Sequence, residues 1–298
     1  CNLYETYPYN YEGTIEEVKE QFGNDLYEAV LYCKIVTLIP PQHKSSEAIQ
    51  NENRRIGISQ TGIYPFLAKH NLTHDKYAEL LDYWYGLIKK YDTEISEMLN
   101  IPRSIKLTTV KPSGTMTLCA GLTASGMHAP PAPYFVRNVR ISNSKTHYLK
   151  VLRDAGLKIE DDVTQIGSTS VVSFPCKSPP GTITKRDISI KDQYELLTLM
   201  QTWWSDNLVS CTLTFREDEV PILAETHDRY KDSIKSISFL KLNADSYQQA
   251  PEIEITEDEY NEMMENVKPI EYSDFKTNIY SDEIELDNYC SGDKCVRN

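Results

Sequence analysis

Short apolar, β-rich runs alternate with amphipathic helical segments along most of this chain, and that alternation narrows the fold more than any other feature. Leu107-Thr108-Thr109-Val110, Ser170-Val171-Val172-Ser173-Phe174, the run 209–215 and Ile237-Ser238-Phe239-Leu240 read as strands, and Ile56-Gly57-Ile58-Ser59 as a short buried one. The capping box Thr14-Ile15-Glu16-Glu17 starts a helix that Val18, Phe22, Leu26, Val30 and Leu31 carry to about Leu38, before Pro40-Pro41 stops it. Thr73 caps the clearest helix, where Tyr77, Leu80, Leu81, Trp84, Leu87, Ile88, Tyr91, Ile95 and Met98 recur on one face and read as core. Further helices are expected over 145–155, 191–204, 218–230 and 257–267. Strands separated by helices predict a parallel sheet with covering helices, as in α/β barrels, with 106–110, 170–174 and 209–215 parallel along one side.

Composition sets outer bounds. The chain has 298 residues, 40% hydrophobic and 25% charged, enough for one large domain or two small ones. It contains no apolar run of membrane-spanning length. A net charge of −13 argues against direct nucleic-acid binding, which needs a basic face. Seven irregularly spaced cysteines do not form the pattern of a secreted disulfide framework, so a reducing compartment, the cytoplasm, is expected. From 251 onward the composition shifts to fourteen acidic against four basic side chains, most of the net charge. The chain therefore divides by composition into 1–250 and an acidic tail, 251–298, whose stretch from Asp274 reads as an extended, self-repelling tether.

Three features bear on chemistry. Cys290-Ser291-Gly292-Asp293-Lys294-Cys295 puts two thiols near the end of that tether, with a glycine between them that lets a small ring close. A dithiol on a mobile arm can reduce a buried disulfide by exchange; it can also be an exposed pair without a role, or half of a zinc site. Lys111-Pro112-Ser113-Gly114-Thr115 follows a strand and offers hydroxyls, backbone N–H groups and a flexible glycine, the set a phosphate needs, although a plain turn has the same composition. It lacks the glycine spacing and terminal Gly-Lys-Ser/Thr of a Walker loop. Arg137 and Arg140 suit either a phosphate or the chain's many carboxylates. His128 has no second metal ligand at workable spacing and reads as structural. No metal-binding residue is assigned. Cys33, Cys119, Cys176 and Cys211 stand in apolar or strand contexts and read as small hydrophobes.

Several motifs occur in a telling order: Cys-Asn-Leu-x-Glu (1–5), Asn-Arg-Arg-Ile-Gly-Ile-Ser (53–59), Thr-Thr-Val-Lys-Pro-Ser-Gly-Thr (108–115), Gly-Met-His (126–128), Trp-Ser-Asp-Asn-x-Val-Ser-Cys-Thr (204–212), Gln-Gln-Ala-Pro (248–251) and the terminal Cys-x4-Cys. In that order the chain resembles, from its first residue to its last few, the C-terminal portion of the adenosylcobalamin-dependent ribonucleoside-triphosphate reductases, the monomeric class II ribonucleotide reductases. The resemblance implies the second half of a ten-stranded α/β barrel of the ribonucleotide reductase type, followed by a flexible acidic tail. It also implies reduction of ribonucleoside triphosphates by a thiyl-radical mechanism with adenosylcobalamin as cofactor. Cys1 matches one member of the cysteine pair that supplies two electrons. Cys290 and Cys295 match the tail dithiol that resets the resulting disulfide and is reduced by a thioredoxin-like protein. The stretch Pro112-Ser113-Gly114-Thr115, with Lys111 before it, matches the loop that holds substrate phosphate.

The family's finger-loop pattern, Asn-Pro-Cys-Gly-Glu, is not in this sequence, so the radical cysteine is expected upstream, in an N-terminal part of the same enzyme that this chain would need for turnover. A class I large subunit is the alternative within the superfamily; those chains carry a Tyr-Tyr pair, and none of the twenty tyrosines here is followed by another. A non-catalytic, thiol-switched phosphate-binding module is the alternative outside it.

Overall fold

The computed structural model describes residues 2–242 and 248–275. Asn2–Thr6 (β1) leads to the long helix Ile15–Val36 (α1), at whose start the Thr14 hydroxyl accepts the Glu17 N–H while the Glu17 carboxylate accepts the Thr14 N–H at 2.7 Å. Lys44–Asn53 (α2) precedes the strand Ile56–Gln60 (β2), which runs on to Ile63–Lys69 (α3) and to the Thr73-capped helix His74–Leu99 (α4). The short helix Gly114–Cys119 (α5) follows the 107–110 segment. Then come Tyr134–Ser142 (β3), Thr146–Asp154 (α6), Lys158–Asp161 (β4), Thr169–Lys177 (β5) and Ile190–Trp203 (α7). Thr212–Phe215 (β6), Leu223–Tyr230 (α8), Ser238–Lys241 (β7), Glu252–Glu254 (β8) and Glu257–Glu265 (α9) complete the described elements. None of the described helices is long and apolar enough to cross a membrane.

The chain forms two compact units, and they do not follow the composition boundary at 250. Among the described residues, the first comprises 2–135, 176–242 and Glu254–Thr256; the second takes Val136–Pro175 out of the expected 1–250 domain and joins it to Gln248–Ile253 and 257–275. Composition registers charge, whereas the units follow pairing: β8, at the start of the acidic stretch, is hydrogen-bonded to β3.

The first unit is built on parallel pairing. β1 lies beside β2 with Asn2 opposite Ile56 and Thr6 opposite Gln60. Ile58 bridges in parallel to Thr108, Val110 to Val209, and β6 pairs in parallel with β7. The row thus runs β1, β2, 107–110, 209–215, β7. Every residue of β2 is buried, which is why this strand reads as a near-continuous apolar run rather than an alternating one. α1 and α4 pack together against the row: Phe22 meets fully buried Trp84 edge-on at 4.7 Å between ring centroids. Gly23 lies in the same contact, where a Cβ would stand 2.8 Å from Leu87 Cδ1 and that side chain would have to shift. Lys34, fully buried on α1, pairs with Asp92 of α4 at 3.0 Å and donates to the Pro102 carbonyl at 3.0 Å. Burial holds the Lys34 ammonium below the usual lysine range, against the pull of Asp92.

The second unit corrects one expectation. The strand expected at 170–174 exists as part of β5, but it belongs to a four-stranded sheet of order β4-β5-β3-β8 rather than to the parallel row. It pairs with β4 antiparallel, Lys158 opposite Ser173. A small cluster of Leu149, Leu152, Leu157 and Val172 forms its core. β4 and β5 are joined by a short turn, and such a turn permits only antiparallel pairing.

Candidate phosphate-loop site

The carboxyl ends of the first three strands of the parallel row turn polar together. β1 closes on Glu5-Thr6, β2 on Ser59-Gln60 with Thr61 beyond it, and 107–110 runs into Lys111-Pro112-Ser113-Gly114-Thr115. Parallel α/β sheets commonly receive ligands outside such ends. Here the polar groups are tied to one another. Ser59 Oγ donates to Glu5 Oε1 at 2.8 Å, Ser113 Oγ donates to Glu5 Oε2, and the Lys111 N–H donates to Ser59 Oγ at 3.0 Å. The Glu5 carboxyl thus draws the loop onto the neighbouring strands.

Local conformation explains why this loop needs such holding. Ser113 sits in the left-handed region, φ 43°, which is unusual for a residue with a Cβ. Thr117, one turn on, donates to the Ser113 carbonyl through its N–H at 2.8 Å and through Oγ1 at 2.7 Å. The Thr117 and Thr61 hydroxyls are 2.8 Å apart, and Thr61 Oγ1 also accepts the Gly126 N–H at 2.6 Å. Gly126 has φ +57°, and a side chain there would overlap the Lys111 carbonyl. The N–H groups of Gly114, Thr115 and Met116 precede the first backbone hydrogen bond of α5, made by Thr117, so helix geometry leaves them without an intrahelical acceptor.

The electrostatics are those of an acid drawn out of water. Burial pushes the Glu5 carboxyl up to about 7; the hydrogen bonds from Ser113 and Ser59 and the charge of Lys111 pull the other way and recover only part of the shift. Burial, with Glu5 nearby, raises the Tyr7 phenol as well.

The expected phosphate-loop residues, Lys111 to Thr115, are therefore brought together with two partners that sequence reasoning did not single out, Glu5 and Ser59. Each stood inside a recognised motif, and the available signal was a polar residue closing an otherwise buried strand. Cys1, Cys290 and Cys295 lie outside the described residues. Arg137 pairs with Glu252 at 2.8 Å and Arg140 with Asp162 at 2.6 Å, the carboxylate alternative. His128 is a brace: Nδ1 lies 2.9 Å from the Ser125 carbonyl and Nε2 accepts the Thr212 N–H at 3.0 Å. The Trp-Ser-Asp-Asn motif is scaffold too. Trp204 Nε1 donates to the Thr109 carbonyl at 2.9 Å, Asp206 accepts the Leu107 N–H at 2.9 Å, and Asn207 Nδ2 donates to the carbonyls of Thr108 at 2.8 Å and Ile56 at 3.1 Å. Cys33 and Cys211 are buried thiols pushed up to about 12 by burial, whereas Cys119, at the end of α5, is exposed, contrary to the reading from its apolar neighbours.

No family model matches the chain. It is 36% identical, over its whole length, to the adenosylcobalamin-dependent ribonucleoside-triphosphate reductase of Euglena gracilis, of which it spans 40%. It is 34% identical over 99% of its length to a probable enzyme of the same name from Dictyostelium discoideum, of which it spans 38%. Among solved structures, a B12-dependent (class II) ribonucleotide reductase superposes with a TM-score of 0.80 at 30% identity, covering 93% of this chain and 42% of that one. The class Id ribonucleotide reductase alpha subunit of Actinobacillus ureae reaches a TM-score of 0.51 at 13% identity over 80% of this chain, a likeness of fold alone. The chain spans about 40% of the length of the curated relatives it matches.

Proposed function

We propose that this chain, a relative of the adenosylcobalamin-dependent ribonucleoside-triphosphate reductases over its whole length, is the portion of such an enzyme that holds the substrate phosphates and supplies reducing thiols. The complete enzyme reduces ribonucleoside triphosphates to 2′-deoxyribonucleoside triphosphates. The observation that carries the reading is the 111–115 loop, a motif of the family resemblance, seated at the carboxyl ends of the parallel strands and tied to the strand that begins beside Cys1. The row of parallel strands is, on this reading, half of a ten-stranded barrel, and the remaining part of the enzyme supplies the other half together with the radical cysteine.

Adenosylcobalamin, when bound to the complete enzyme, supplies the radical initiator. Two cavities among the described residues, of about 600 and 400 Å³, are the size of ordinary small-ligand sites. No residue of this chain is assigned to the cofactor, and no step is routed through it.

The chain's own residues have three tasks. Lys111, the Ser113 and Thr115 side chains and the loop N–H groups hold and orient phosphate oxygens. Cys1, one of the two reducing thiols, gives electrons as the 2′-hydroxyl leaves and ends in a disulfide. Cys290 and Cys295, on the acidic tail, reduce that disulfide by exchange and are themselves reduced by a thioredoxin-like protein in a reducing compartment, the cytoplasm. In the complete enzyme, replacing Ser113 with glycine, which the left-handed backbone accepts, and Thr115 with valine removes hydroxyl donors worth about 1–3 kcal/mol each when aimed at an ionised group. The expected result, read by equilibrium binding, is substrate affinity at least tenfold weaker with folding intact. Unchanged affinity in the double variant would overturn the assignment of the loop.

A further inference from the structure

Glu5 lies closer to the proposed phosphate loop than any description of that loop requires. Both carboxyl oxygens are occupied by hydroxyls, Oε1 by Ser59 and Oε2 by Ser113, and Ser59 in turn accepts the Lys111 N–H at 3.0 Å. One side chain on β1 therefore organises two residues of the loop. The arrangement has a cost for an anionic ligand. While Glu5 is a carboxylate, it accepts the Ser113 hydroxyl proton, so that hydroxyl is turned away from any phosphate, and a negative charge stands behind the loop. A neutral Glu5 reverses both effects: its own O–H donates to Ser113 Oγ, and Ser113 can donate to a phosphate oxygen.

We infer that Glu5 is a positioning residue coupled to phosphate by a proton, so that a phosphate ligand enters the 111–115 loop together with protonation of Glu5. The inference rests on the phosphate reading of the loop. The proton is taken from solvent and resides on a Glu5 oxygen; no covalent bond to the ligand forms. By linkage the effect is reciprocal: phosphate raises the affinity of Glu5 for its proton as much as the proton raises the affinity for phosphate.

The surroundings favour a titration in the working range. Burial already lifts the Glu5 carboxyl to about 7, so the proton is available near neutrality. Lys111, on the loop, opposes protonation by favouring the anion. Tyr7, two residues along the chain, is held neutral by burial and by Glu5 itself. Asp25 and Glu28 of α1 line the same cavity of about 400 Å³ as Glu5.

The test uses the full chain with inorganic triphosphate as probe and ¹³C-carboxyl NMR of Glu5, with Glu5→Gln as the comparison variant; glutamine keeps the shape and an N–H donor without the titration. The expected result is that triphosphate shifts the Gly114 and Thr115 amide signals and moves the Glu5 midpoint upward by about one pH unit. Wild-type affinity should then fall about tenfold more than that of Glu5→Gln from below about pH 6 to above about pH 9. A merely structural Glu5 would lower affinity equally at every pH. If triphosphate perturbs the loop while the Glu5 midpoint stays put, the proton coupling is wrong and the phosphate reading stands. If triphosphate leaves the loop signals unmoved at every pH, the phosphate reading fails and the inference falls with it. Should Glu5→Gln not fold, the wild-type midpoint with and without triphosphate decides alone.

Discussion

The two units of this chain are built from similar numbers of short strands, yet only one concentrates polar groups at strand ends. In the parallel row, β2 is buried along its whole length, and its polar residues come last, at Ser59 and Gln60. Neighbouring strands end in phase, so Glu5, Ser59 and Lys111 meet. In the four-stranded sheet, β3 and β5 are buried over part of their length, and the two arginines of β3 are paired, Arg137 with Glu252 of β8 and Arg140 with Asp162 just beyond β4. Parallel pairing sends every strand end to the same edge, where leftover polar groups accumulate into a site. Antiparallel pairing, as between β4 and β5, distributes ends to both edges and lets charges neutralise locally.

Three changes probe this contrast, from the largest effect downward. Trp84→Ala removes a fully buried ring from the α1–α4 contact and should destabilise the first unit by about 3–5 kcal/mol, read by chemical denaturation. Leu149→Ala, in the smaller cluster of the second unit, should cost about 2–3 kcal/mol. Equal costs would mean that the cores do not differ as described.

The second change is in pH. Because burial raises the Glu5 carboxyl from its ordinary value to about 7, the folded protein keeps a proton that the unfolded chain has released. The contribution is therefore fully present below about 4.5, is lost as pH rises to about 7, and is flat above, with a span of about 3 kcal/mol. Denaturation midpoints at pH 5 and pH 8 should show it, and Glu5→Gln should remove that component; a variant with an unchanged pH profile would contradict the burial argument. Arg140→Gln, in the second unit, breaks a pair whose arginine is 41% exposed and should cost under about 1 kcal/mol. A larger loss would show that the charges of that sheet carry more of its stability than solvent screening allows.

Much of the fold was legible because its signals are local. Thr14 with Glu17 and Thr73 mark the starts of α1 and α4 to the residue, and the apolar stripe from Tyr77 to Ile95 is the buried and half-buried face of α4, whereas Met98, read as core, is 59% exposed near the end of the helix. Pairing was less legible. A run such as Ser170–Phe174 says strand without naming its neighbour, and only the short turn after β4 decides that β5 is antiparallel. Short helices such as α3 and α5 escaped because six or seven residues hold less than two turns of periodicity. In the candidate site, the place of Lys111 to Thr115 just after a strand was readable from the sequence pattern. Glu5 and Ser59 were not, since their role depends on β1, β2 and 107–110 ending side by side, a long-range fact.

The central claim is that this chain supplies thiols and a phosphate loop to a ribonucleotide reductase, and rapid chemical quench of the complete enzyme tests it most directly, with deoxyribonucleotide counted per enzyme. With Cys290→Ser and Cys295→Ser together, one round of product should form and turnover with a thioredoxin-like reductant should then stop; a small dithiol that diffuses to the disulfide should partly restore it. Cys1→Ser should form no product even in the first round, with no rescue by any reductant. A tail double variant that cycles normally, or a Cys1→Ser enzyme that completes its first turnover, would contradict the account.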